Sequence, residues 1–115
     1  MAERIITPVA RVIHANTFFS RLKGLLGTRQ LPADTGLLLE PCSSIHTWGM
    51  GYAIDALFLD DHNRVLQVAD TLPPNTWGQK MPGACRVLEM AAGKARRLGI
   101  QPGDVIDLII RKEGI

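Results

Sequence analysis

Residues 41–60 read Pro41-Cys42-Ser43-Ser44-Ile45-His46-Thr47-Trp48-Gly49-Met50-Gly51-Tyr52-Ala53-Ile54-Asp55-Ala56-Leu57-Phe58-Leu59-Asp60, a polar segment running straight into an apolar one. The second half decides the fold class. From Ala53 to Leu59 both alternating faces are apolar apart from one carboxylate, the signature of a strand buried on both sides in the middle of a sheet. Period-two alternation sets Asp55 on the face of Leu57 and Leu59. A carboxylate there costs several kcal/mol unless donors converge on it, so Asp55 is expected to be buried or half-buried and to accept at least one hydrogen bond from the His46 to Tyr52 segment.

Downstream, Asp60-Asp61-His62-Asn63 is a turn in which Asn63 can take a positive φ, returning the chain into a strand over Arg64 to Asp70. Residues 72–84 carry Pro73, Pro74, Gly78, Pro82 and Gly83, which cannot sit in a continuous ladder, so this is a long loop holding Trp77. Cys85 to Met90 reads as a strand, Lys94 to Leu98 as one helical turn stopped by Gly99, Gln101 to Asp104 as a tight turn and Val105 to Ile110 as a closing strand. Upstream, Val9 to Ala15 is a strand, and Leu37 to Leu39 a brief one. Between them Phe18, Phe19, Leu22, Leu25 and Leu26 recur at helical spacing after an Asn16 or Thr17 cap, and Gly27 ends the pattern. Strands outnumber helices and most connections are too short for parallel crossovers. The expected fold is therefore α+β and mainly β: a mostly antiparallel, barrel-like sheet with one packed amphipathic helix and a short helical turn near the C-terminus.

The 115 residues suit a single domain, 1–115, with its core over roughly 9–110. With 46% hydrophobic but only 5% aromatic residues, aliphatic side chains must build that core. A net charge of +2 is too mild for a nucleic-acid footprint, and Lys94-Ala95-Arg96-Arg97 is a short basic run better read as a solvated helix face. The start, Met1-Ala2-Glu3-Arg4, lacks the basic and apolar regions of a secretory signal, and no run approaches the ~18 apolar residues of a membrane span. A cytoplasmic location without membrane partners is expected. In that setting Cys42 and Cys85 are expected to be free thiols.

Five motifs in order carry a resemblance: Gly-Leu-Leu-Gly at 24–27, Cys-Ser-Ser-Ile-His-Thr-Trp-Gly-Met at 42–50, Ile-Asp-Ala-Leu-Phe-Leu-Asp at 54–60, Val-Leu-Glu at 87–89 and Gly-Ile-Gln-Pro-Gly-Asp at 99–104. Together, spanning roughly Phe18 to Leu108, they resemble the domain-of-unknown-function family 192. The resemblance implies a compact β-rich domain and directs attention to residues 46–60. It brings no established activity, cofactor or catalytic residue.

The functional expectation is a small binding or accessory module, its surface formed by residues 42–55 and the 72–84 loop. Candidate binding residues are His46, Trp48, Met50, Asp55, Trp77 and Glu89: polar groups for orientation, loop aromatics for stacking. The rival reading is a hydrolase or thiol-dependent transferase, with Cys42 as nucleophile, His46 as base and Asp55 or Glu89 orienting the imidazole. Cys42 and His46 have a helical ligand spacing in a segment that is not helical, and too few further ligands stand nearby for zinc, so neither a metal nor another cofactor is expected. A weak nucleic-acid binder using Arg86, Lys94, Arg96 and Arg97 is the third reading. The partner is expected to be a small molecule or a protein, nucleic acid being disfavoured, and the chain a monomer.

Overall fold

In a computed structural model, the described residues are 3–15, 31–45, 47, 51–76, 80–108 and 110–114. The elements are β1 (Ile5–Ile6), β2 (Arg11–Ala15), β3 (Thr35–Leu39), β4 (Ile54–Leu59), β5 (Val65–Leu72), β6 (Arg86–Ala91), α1 (Lys94–Leu98), β7 (Val105–Ile106) and β8 (Ile110–Gly114). The amphipathic helix expected over Phe18 to Leu26 lies outside the described residues.

Strand β4 is the axis of the fold. All six of its residues are buried, and it pairs antiparallel with β5 on one side and β6 on the other. The full sheet runs β5-β4-β6-β3-β2-β8, and a separate two-stranded sheet joins β1 to β7. One face of the main sheet carries Leu37, Leu39, Ile54, Ala56, Phe58 and Val87, covered by Leu31, Ile45 and Tyr52 from the connecting segments. The other carries Val12, Leu38, Leu57, Leu59, Leu88 and Met90 and is covered by Ala95, Ile100 and Ile106. Asp55 thus lies on the Leu57 and Leu59 side, as alternation requires.

Two expectations are corrected. Among the described residues the sheet does not close into a barrel, since β5 and β8 stand at its two ends. Its antiparallel part is β5-β4-β6-β3, while β2 pairs parallel with both β3 and β8, and β1 with β7. Residues 16–34 separate β2 from β3, enough chain for the crossover a parallel pair needs. Second, the run from Val105 to Ile110 is not one strand. Val105 donates its N–H to Arg4 O (2.8 Å) and Asp107 to Ile6 O (2.8 Å), tying β7 to β1, whereas the chain beyond pairs with β2.

The turns follow local chemistry. Asn63 adopts φ 61°, and the Asp60 carboxylate accepts the main-chain N–H groups of His62 (2.8 Å) and Arg64 (2.9 Å), closing the hairpin. Helix α1 ends at Gly99, which takes φ 65° as a left-handed cap.

Candidate functional site

Segments 42–55 and 72–84 are laced together by main-chain hydrogen bonds. Met81 N–H donates to Ser43 O (2.9 Å), Ser44 bridges Lys80, Thr47 N–H donates to Thr76 O (3.0 Å) and Asn75 N–H to Thr47 O (2.9 Å). Thr47, only 1% exposed, is the hub. Its hydroxyl donates to Pro73 O (2.7 Å) and accepts the N–H of Thr76 (2.8 Å). Nothing in the sequence singles out this threonine, because its partners lie across the fold. Its chain neighbours His46 and Trp48, together with Met50 and Trp77, lie outside the described residues.

Leu31, Tyr52, Ala53, Ala91 and Ala92 line a cavity of about 140 Å³. Three of the five are alanines, so the backbone of β6 and of the approach to β4 comes close to the open space. Tyr52 is 7% exposed, and its buried hydroxyl makes no hydrogen bond. Such a group is costly unless something pairs with it. Glu89 is fully buried. It lies two residues before Ala91 on β6 and so on the same face of the sheet. Burial pushes the Tyr52 phenol up from its ordinary value, and the negative charge of Glu89 adds to the effect. Tyr52 therefore stays protonated, so its hydroxyl remains a donor.

Asp55 is fully buried and engaged elsewhere. Its Oδ1 accepts the main-chain N–H groups of Thr71 (2.8 Å) and Gly93 (3.0 Å), and its Oδ2 that of Ala95 (2.8 Å). These described donors come from a strand irregularity and a helix start, not from the 46–52 segment. Opposite Asp55 the β4–β5 register shifts, and Thr71 takes φ 54°, which frees its N–H from the ladder. The carboxylate satisfies that orphan and two from the first turn of α1.

Cys42 packs against the Tyr52 and Val87 face, whereas Asp55 sits on the opposite one. The sheet lies between them, so the structure does not bring these two candidate catalytic residues together. Among the described residues no group of three or more His, Cys, Asp and Glu could hold a metal ion. Neither is any helix among them long and apolar enough to cross a membrane.

The family model DUF192, described as Uncharacterized ACR, matches residues 3–108. The chain belongs to this family. A UPF0127 protein of Thermococcus sibiricus is 33% identical over 90% of this chain and 69% of its own length. Two solved structures share the DUF192 chain's fold. One, from Sinorhizobium meliloti 1021 and suggested to be a transcription regulator, superposes with a TM-score of 0.71 at 25% identity, covering 82% of this chain and 78% of that one. The other, from Novosphingobium aromaticivorans and of unknown function, gives 0.68 at 28% identity over 80% and 70%.

In this DUF192 domain most of the basic side chains singled out above are already engaged. Arg86 pairs with Glu40 (2.5 Å) and donates to Asn63 Oδ1 (2.7 Å), Arg96 pairs with Asp70 (2.8 Å), and Lys94 Nζ reaches Ala33 O.

Proposed function

We propose that this protein is a small-molecule-binding module whose site is the cavity bounded by Leu31, Tyr52, Ala53, Ala91 and Ala92, with segments 42–55 and 72–84 as its mouth. The observation that carries the reading is Tyr52, a residue that lines the cavity and whose buried hydroxyl has no hydrogen-bond partner. A donor left orphaned within the fold acquires a purpose if a ligand supplies the acceptor. The volume is comparable to the ~150 Å³ that accepts a benzene ring in an engineered apolar cavity. The ligand class is accordingly a single ring, or a chain of similar size, with a carbonyl-type acceptor for Tyr52. His46, Trp48, Met50 and Trp77 belong to the mouth in this reading, and the protein acts as a cytoplasmic monomer.

A titration of amide chemical shifts with 2-pyridone tests it, since that ring carries an adjacent carbonyl acceptor and N–H donor. Shifts concentrated at Tyr52, Ala53, Ala91 and Ala92 support the site. Shifts confined to other surfaces, or none at the highest soluble concentration, overturn it.

The suggested transcription-regulator role of the Sinorhizobium meliloti relative favours one second reading, nucleic-acid binding through residues 86–97. The pairing of Arg86 and Arg96 with carboxylates counts against it. Affinity for duplex DNA that fell steeply with added salt would revive it.

A further inference from the structure

We propose that Cys42 and Cys85 form a dithiol site that a low-molecular-weight disulfide of the glutathione type oxidises to an intramolecular disulfide. The inference does not depend on the ligand reading. Cys42 donates its main-chain N–H to the carbonyl of Cys85 at 3.0 Å. A single main-chain hydrogen bond of this length holds the two Cα atoms about 5–6.5 Å apart, inside the ~4.4–6.8 Å that a disulfide spans. Cys85 is fixed from its other side, its own N–H bonding to Leu59 O at 2.9 Å.

Cys42 packs against the cluster containing Val87, and Cys85 directly precedes the first residue of β6. Neither cysteine is joined in a disulfide and both are only partly buried, so a small reagent can reach them. The Cys42 thiol donates to Ser44 O at 2.8 Å, a bond it gives up on ionising. Either cysteine, its proton lost to water, attacks the reagent disulfide, forming a mixed disulfide and expelling one thiolate. The second cysteine thiolate then attacks the protein sulfur of that mixed disulfide and expels the other thiolate. Two electrons pass from the protein dithiol to the reagent, which leaves as two thiols.

The product would staple the foot of segment 42–55 to the end of the 72–84 loop, the two segments laced by Thr47.

The test exposes the full chain to oxidised glutathione at neutral pH, quenches with acid and reads intact mass and cysteine alkylation. The expected product has lost two hydrogens, carries a Cys42-to-Cys85 cross-linked peptide, resists alkylation at both sites and reverts with dithiothreitol. Because the fold supplies a high effective concentration of one thiol at the other, closure should be at least about tenfold faster in native buffer than in concentrated urea. Cys42→Ser and Cys85→Ser should each instead accumulate a lasting single glutathione adduct. Wild-type protein that accumulates such stable adducts, forms only intermolecular dimers, or closes as fast in urea as in buffer would overturn the proposal.

Discussion

Asp55 Oδ2 accepts the main-chain N–H of Ala95 at 2.8 Å, so a carboxylate from the buried central strand caps the first turn of α1. Gly93 at the start of that helix makes no side-chain cap of its own, and Asp55 Oδ1 takes its N–H along with that of Thr71. Asp55→Ala leaves one buried and two part-buried donors without partners, at up to ~1–3 kcal/mol each before relaxation. We expect a loss of roughly 3–5 kcal/mol in urea unfolding, with Asp55→Asn milder because one oxygen survives. A change of less than about 0.5 kcal/mol for the alanine variant would contradict the role assigned here.

Thr47 holds segments 42–55 and 72–84 together through its hydroxyl as well as its backbone. Thr47→Val keeps the shape and the main-chain bonds but strands the Thr76 N–H and the Pro73 carbonyl. Native-state hydrogen exchange should show the Thr76 amide opening about tenfold faster or more, while amides of β4 change only by the fall in global stability. Unchanged exchange at Thr76 would show that the side chain does not hold the loops.

The acid side of the stability curve involves Arg4 and Asp104. Arg4 Nε and Nη2 donate to the two oxygens of Asp104 (3.0 and 2.8 Å), tying β1 to the turn before β7. The Arg4 hydrogen bond holds the Asp104 carboxyl below its ordinary value against a smaller opposing effect of burial, helped by the Gln101 N–H. A depressed folded-state value contributes stability that is present above the unfolded carboxylate value of ~3.9 and is lost as pH falls through the folded one. Asp104→Asn should therefore flatten the acid limb of stability against pH. An acid limb unchanged in this variant would remove Asp104 from the account.

On the alkaline side the reporter is Tyr52, the sole tyrosine in the chain. Its raised value means that stability is intact below the unfolded phenol value of ~10 and declines as pH rises toward the folded one. Phenolate absorbance should appear later in the folded protein than in urea. Tyr52→Phe should weaken the alkaline decline and, by removing a buried hydroxyl without a partner, leave stability equal or up to ~1 kcal/mol higher at neutral pH. A loss above about 1 kcal/mol would show that the hydroxyl has a structural partner after all.

Much of the frame was legible because it depends on local pattern. The two-faced apolar run of 53–59 identified the central strand, the period-two rule gave Asp55 its face, and Asn63 and Gly99 took the conformations their turns require. Features set by distant partners were not legible. The donors to Asp55 come from Thr71, Gly93 and Ala95, and no residue near Asp55 in the chain announces them. The split of the closing strand depends on β1 capturing Val105 and Ile106, which an unbroken apolar run conceals. The open, mixed sheet follows from parallel pairings that hydropathy does not encode. At the site, alternation with Val87 is the signal that marks Glu89 as buried. Thr47 and Tyr52 stand out only by their hydrogen bonding in the fold, and the separation of Cys42 from Asp55 only by the position of the sheet between them.

The most direct test of a ligand site at Tyr52 is the affinity of 2-pyridone for wild-type protein and for Tyr52→Phe at equal temperature and pH. If the ligand carbonyl takes the orphaned hydroxyl, the variant should bind about five- to tenfold more weakly, the worth of one buried hydrogen bond, while unfolding no more readily than wild type. Equal affinities, with the variant as stable as wild type, would contradict the account.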